Sequence, residues 1–300
     1  MDGEKRRILA TIEYDGSGTL GFQSQSSRDE TEVRLRPKSM RGRTVQRQLE
    51  ESLSSFFGHP VIVDGSGRTD AGVHATAQVI AFTLEGKACT RTLSAILRGA
   101  NSVLPGWIRF VKVAEVGLDF MPRFRAHSRT YHYLVLDGQS SIYHPLWSRL
   151  CHVEPRVLNF EAMQQAAKPL IGWHDFRIFS RGETDKKNTV RQLTCLTLDR
   201  PFPAQPCENS IGPFADFSHL IRFEVKANAF LRRMVRQLVG QLLKVGKGEW
   251  PVERPLEVLE GSSRCRPAPA APAQGLFLAD VDYSHIQELK WIDGMRGVRP

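Results

Sequence analysis

Residues 44–58 read as a helix with its own start and stop, and apolar runs of strand character stand on both sides of it, which commits the chain to a mixed fold. Thr44 supplies an N-cap hydroxyl, Val45 to Phe57 the body, and Gly58 the stop. Ile8 to Tyr14 precedes this helix as a strand; Val61 to Val63 and Gln78 to Thr83 follow it. A second helix is predicted over Thr90 to Asn101, through Leu93, Ile96, Leu97 and Ala100, and Trp107 to Val116 and Thr130 to Leu136 close the half as strands. The later half begins with a helix over Phe160 to Leu170. Strands near Arg191 to Leu198 and Leu220 to Lys226 come next, then a helix within Lys226 to Lys247 and a last strand near Leu276 to Asp282. The expectation is an α+β fold of two similar βαββαβ-like halves, residues 1–145 and 146–300, with mixed or antiparallel sheet backed by helices on one side. The boundary is placed between Gly138 and Asn159, and the Pro- and Ala-rich stretch Ser262 to Ala273 is read as an extended connector.

The chain can bury a sizeable core, since 41% of its 300 residues are hydrophobic. No apolar run approaches the ~18 residues of a membrane span, and Met1 to Arg7 is charged with no secretory core behind it, so a cytoplasmic location is expected. The five cysteines show no CxxC spacing, which fits a reducing compartment and offers no zinc site. His74, His127 and His174 give no pair on one helical turn, so no metal is expected, and Gly16-Ser17-Gly18 is too short to mark a phosphate loop.

Charge favours a polyanionic partner. Lys and Arg number 41 against 32 Asp and Glu, a net +9, and the excess is uneven. Arg34, Arg36, Lys38, Arg41, Arg43 and Arg47 follow one another without an acid, as a basic loop that tracks phosphates or stays solvated. In Lys226 to Lys247, Leu231, Met234, Val235, Leu238, Leu242 and Val245 recur at helical spacing while Arg232, Arg233 and Arg236 gather in the first turns.

The chemistry is concentrated in Gly67-Arg68-Thr69-Asp70-Ala71-Gly72-Val73-His74-Ala75. A strand that stayed extended through Arg68 and Asp70 would put both side chains on one face, where the guanidinium would hold the carboxylate ionised and aimed. An oriented Asp is a usable nucleophile or base. The same tripeptide also suits a structural pair that pins a turn.

This block and others in the same order resemble the TruA family of tRNA pseudouridine synthases. They include Ile12 to Ser17, Gly21-Phe22-Gln23-Ser24-Gln25, Thr44-Val45-Gln46, Asn101 to Pro105, Phe124-Arg125-Ala126 and Arg129-Thr130-Tyr131-His132-Tyr133. His174-Asp175-Phe176, Lys226 to Phe230, Met234-Val235-Arg236 and Ala271 to Leu278 continue the series. The resemblance implies a pseudouridine synthase fold with an active cleft between the halves, and uridine isomerisation without a cofactor. It also implies a homodimer whose substrate is the tRNA anticodon arm at positions 38 to 40. Carried over residue by residue, it makes Asp70 the catalytic carboxylate and Arg68 the residue that flips or supports the target nucleotide. Tyr131 becomes the aromatic lid over the base, with Tyr133 on its strand face and His132 pointing away, and Arg236 a second active-site arginine. Leu276 and Phe277 become pocket walls, and Arg41, Arg43, Arg232, Arg233, Asn228 and Phe230 candidates for RNA contact. Phe22 stands where the family commonly has tryptophan. The stretches Ser26 to Arg43 and Pro201 to Ser218 are insertions that leave the target uridine open. A tRNA-binding or folding protein on the same scaffold is the alternative from another class.

Overall fold

The computed structural model describes residues 4–23, 43–138, 147–180, 188–201, 219–261 and 266–293. The chain forms two compact units, Met1–His127 with Leu278–Pro300, and Ser128–Phe277. Arg41 and most of both insertions lie outside the described residues.

The first unit runs β1 (Lys5–Tyr14), α1 (Val45–Phe57), β2 (Val63–Gly65), β3 (His74–Glu85), α2 (Leu93–Val103), β4 (Ile108–Val116) and the single turn α3 (Pro122–Arg125). Strand β1 is antiparallel to both β3 and β4, with Ile8 opposite Phe82 and Glu115. Leu9, Ala10, Thr11 and Ile12 are all buried, so both faces of β1 are covered. Helix α1 buries Val45, Leu49 and Leu53, and α2 buries Ile96, Leu97 and Ala100. The helices meet where Gly99 leaves room for Phe56, since a Cβ at 99 would lie 2.0 Å from that ring. Thr44 and Gly58 cap α1 as the sequence predicts: Arg47 N donates to Thr44 Oγ1 at 3.3 Å, and Gly58 takes φ 77°.

The second unit contains β5 (Ser128–Asp137), β6 (His152–Glu154), α4 (Phe160–Ala167), β7 (Gly172–Asp175), β8 (Val190–Asp199), β9 (Leu220–Ala227), α5 (Met234–Gly246) and α6 (Arg254–Leu259). Its strands pair in the order β5-β9-β8-β7, all antiparallel, while β6 joins β5 in parallel. A buried ionic frame supports it: Asp137, fully buried, accepts from Leu158 N at 2.9 Å and from Arg200 at 3.2 Å. Strand β10 (Leu276–Asp282) starts in this unit and ends in the first, where β11 (Ile292–Asp293) pairs with β4. The fold is α+β with mixed sheet. Setting aside the short strands β6, β7 and β11 and the short helices α3 and α6, the order βαββαβ occurs twice.

Several boundaries move for local reasons. The strand expected at Val61 to Val63 is Val63–Gly65, because Val61 N is taken by the Ser54 hydroxyl at 2.8 Å instead of a ladder. The helix expected from Thr90 begins at Leu93, with Thr92 as the cap that accepts from Ala95 N. The helix expected through Leu170 is α-helical only to Ala167; Pro169, which has no N–H, lies in the tighter turn Lys168–Leu170. Among the described residues no helix is long and apolar enough to cross a membrane.

Candidate active site

Asp70 lies in the loop between β2 and β3, outside both strands. The expected strand face shared by Arg68 and Asp70 is therefore absent: β2 ends at Gly65, and Val73 N turns back to donate to Asp70 O at 3.1 Å. The loop is fixed by the segments that flank it. Phe22 N donates to Thr69 O at 3.1 Å, the hydroxyls of Tyr14 and Thr69 are 2.8 Å apart, and Gln78 Nε2 donates to Gly67 O at 2.9 Å. Two glycines let the backbones come this close. A Cβ at Gly16 would lie 2.0 Å from Val73 O, and one at Gly21, which also has φ 92°, would lie 2.6 Å from Thr69 O. His74, fully buried, accepts from Gly16 N through Nδ1 at 3.1 Å, which requires the tautomer with its proton on Nε2. Asp15 Oδ1 lies 3.2 Å from the same nitrogen and takes Ser17 N at 2.8 Å instead. Thr69 is buried while Asp70 remains half-exposed and Arg68 exposed, so the two candidate side chains reach the surface from a loop bonded on both sides.

Arg68 donates from Nε to Gln23 Oε1 at 2.7 Å. Gln23 was not among the site residues expected from sequence, although it stands in the Gly21 to Gln25 block. Its amide aims the guanidinium by a route the period-two argument did not contain.

In the second unit, Tyr131 and Tyr133 share one face of β5, opposite Val225 and Phe223 of β9. Tyr131 is nearly buried and meets Phe230 edge-on, with ring centroids 5.0 Å apart. His132 points the other way, to Glu224 Oε2 at 3.3 Å. Burial pushes the Tyr133 phenol well above its ordinary pKa, against the pull of the Arg236 guanidinium. It therefore stays protonated and donates to Pro272 O at 2.9 Å. Leu276 is buried and Phe277 half-buried at the start of β10.

Arg236 sits in the first turn of α5, half-buried, with Nε donating to Ala271 O at 2.7 Å. Arg232 and Arg233 do not share the helix as expected. The helix starts at Met234, because Arg233 takes the left-handed conformation at φ 64° and breaks the preceding turn. Arg233 is the one non-glycine residue with positive φ among the described residues, a strained backbone position beside the arginine cluster. Asn228 is occupied structurally, its Oδ1 accepting from Ala229 N at 2.8 Å and Gln192 N at 3.1 Å. Arg43 pairs with Glu51, which also holds Arg47 at 2.9 Å. Arg41 lies outside the described residues.

The sequence model of a family described as tRNA pseudouridine synthase matches residues 10–125 and 166–284 of the chain. A tRNA pseudouridine synthase A of Nitrosomonas europaea is 36% identical over 280 residues, covering 92% of this chain and 89% of that protein. The same-named protein of Aeromonas hydrophila is 38% identical, covering 92% and 90%. That of a Lactococcus lactis strain is 35% identical, covering 94% and 99%.

Proposed function

The chain belongs to the tRNA pseudouridine synthase family, isomerases that turn uridine into pseudouridine, and we propose that Asp70 starts this reaction here, on the anticodon arm of tRNA in the cytoplasm. The observation that supports the assignment is a half-exposed carboxylate on a loop bonded at Thr69 O, Thr69 Oγ1, Gly67 O and Asp70 O. A reactive group held in this way needs little reorganisation to meet its target.

The reaction breaks the bond between N1 of uracil and C1′ of ribose, rotates the base and joins C5 to C1′. The proton that C5 loses is balanced by the one that N1 gains, so there is no net redox change and no cofactor is required. A carboxylate can open the sequence by attacking the ring, by attacking C1′, or by taking a proton from C2′ to give a glycal. In each route Asp70 is the group that must be ionised. Arg68, steered by Gln23, supports the nucleotide once it has left its stack, a step that costs a few kcal/mol. Tyr131 offers the base an aromatic face backed by Phe230, and Arg236 brings positive charge for the anionic species. Leu276 and Phe277 supply apolar wall. Arg41, Arg43, Arg232 and Arg233, with Asn228 and Phe230, are assigned to the RNA around the target, as the net charge of +9 favours. A homodimer is the assembly we assign, on the family's precedent.

Pseudouridine mapping on unmodified tRNAs bearing uridine singly at positions 38, 39 or 40 tests this function. Modification at these positions is the expected result. Tight tRNA binding without modification at any position would instead identify a tRNA-binding protein on this scaffold.

A further inference from the structure

The stretch from Ala268 to Gly275 is bonded along one face of α5 and to β5. Ala268 N donates to Gln241 Oε1 at 3.1 Å, Ala271 N donates to Arg236 O at 2.8 Å, and Ala271 O receives the Arg236 Nε–H at 2.7 Å. Between these points Gly240 clears the way, since a Cβ there would lie 2.2 Å from Pro269 O. Pro272 O then takes the Tyr133 hydroxyl at 2.9 Å, and Gly275 passes so near that a Cβ would lie 2.8 Å from the Tyr133 ring. Gln241 has no exposed surface, and the other end of its amide is satisfied within the helix, Nε2 donating to Gln237 O at 3.1 Å. Burying an amide in a helix interior is costly unless both ends are bonded. Here the second partner is the backbone of a segment some 27 residues away in sequence.

We propose that the Ala268 to Gly275 segment is a strap that sets the direction of the Arg236 guanidinium, with Gln241 and Tyr133 as the positioning residues that fix its two ends. The proposal rests on the catalytic reading of Arg236 given above. A guanidinium has one Nε–H and a planar fork beyond it, so fixing Nε on Ala271 O fixes the plane in which the remaining donors point. The strap can do this only if it cannot slide. Gln241 holds it at Ala268 and Tyr133 at Pro272, on either side of Ala271. Tyr133 and Gln241 have no exposed surface with which to meet substrate, so both act through Arg236.

The test uses Gln241→Met, which keeps the length of the side chain and removes its bond to the strap, and Tyr133→Phe, which removes only the hydroxyl. Each is made in the wild type and in an Arg236→Ala background, with single-turnover pseudouridine formation and tRNA Kd measured for all. A displaced reacting group is worth roughly tenfold or more in rate. The expected result is a loss of about that size in the wild-type background with Kd within about twofold, and under twofold further loss once Arg236 is alanine, because residues acting through one group are not additive. Full multiplicative losses in the Arg236→Ala background would overturn the proposal. So would wild-type rates for both single variants when Arg236→Ala itself is slow. If Gln241→Met does not fold, Tyr133→Phe decides alone. An Arg236→Ala protein as fast as wild type would instead remove the reading of Arg236 beneath the proposal, and the strap's role with it.

Discussion

The Asp70 loop and the first turn of α5 are held by different kinds of bond. Around Asp70 the bonds fix backbone and a neighbouring hydroxyl: the partners of the loop take Thr69 O, Gly67 O and the Thr69 hydroxyl. At Arg236 the side chain itself is held, its Nε spent on Ala271 O. A reacting group carried on a fixed backbone needs little reorganisation to meet its target. An arginine that supplies charge loses nothing when one of its five donors is used to aim the rest. In both regions a glycine makes the close approach possible, Gly21 against Thr69 O and Gly240 against Pro269 O.

Substitution of either glycine should cost more than any other change at these two places. Gly21→Ala places a methyl 2.6 Å from a backbone carbonyl at a residue with φ 92°, so both crowding and backbone strain apply. A loss of about 2 to 4 kcal/mol of stability is expected in denaturant unfolding, accompanied by a severe fall in turnover. Gly240→Ala meets the carbonyl without a left-handed φ and should cost less in stability, about 1 to 3 kcal/mol. Equal or reversed stability losses would show that the loop is more yielding than its bonds imply.

A smaller effect is expected from pH. The second unit contains Glu154, which pairs with Lys247 at 2.5 Å, and His152 beside it. Burial lowers the His152 pKa from its ordinary 6.5, and Lys247 lowers it further, against the pull of Glu154. A depressed folded-state pKa means that the unfolded chain takes up the proton first. The stability due to neutral His152 is therefore complete above about pH 6.5 and declines as the pH falls towards the folded value. Thermal melts of wild type and His152→Gln between pH 7.5 and 5 should converge on acidification; a constant gap would contradict the assignment.

The Asp70 loop was legible because its parts are contiguous: the strand exit, the RTD tripeptide and the small residues after it stand within nine positions. The end of the strand at Gly65 is not readable in this way, since period-two reasoning contains no signal for a turn closed by Val73 N on Asp70 O. The caps Thr44 and Gly58 were readable as well, because capping is local chemistry. The strap was not. Its Pro and Ala residues carry no side-chain signal, and its bonds join backbone to a buried Gln and an Arg some 27 to 35 residues earlier. The left-handed Arg233 was equally hidden, because arginine gives no indication of positive φ. Strands of two to four residues, such as Ile292–Asp293 and Gly172–Asp175, are too short to show a period.

The proposed role of Asp70, chemistry on a carboxylate that its loop positions, is decided by single-turnover pseudouridine formation and tRNA Kd measured together for Asp70→Asn. The substitution keeps shape and removes charge. The expected result is a rate lower by at least on the order of a thousandfold with Kd within severalfold of wild type. Equal loss of rate and affinity, or turnover within tenfold of wild type, would contradict it and make Asp70 part of the loop's framework.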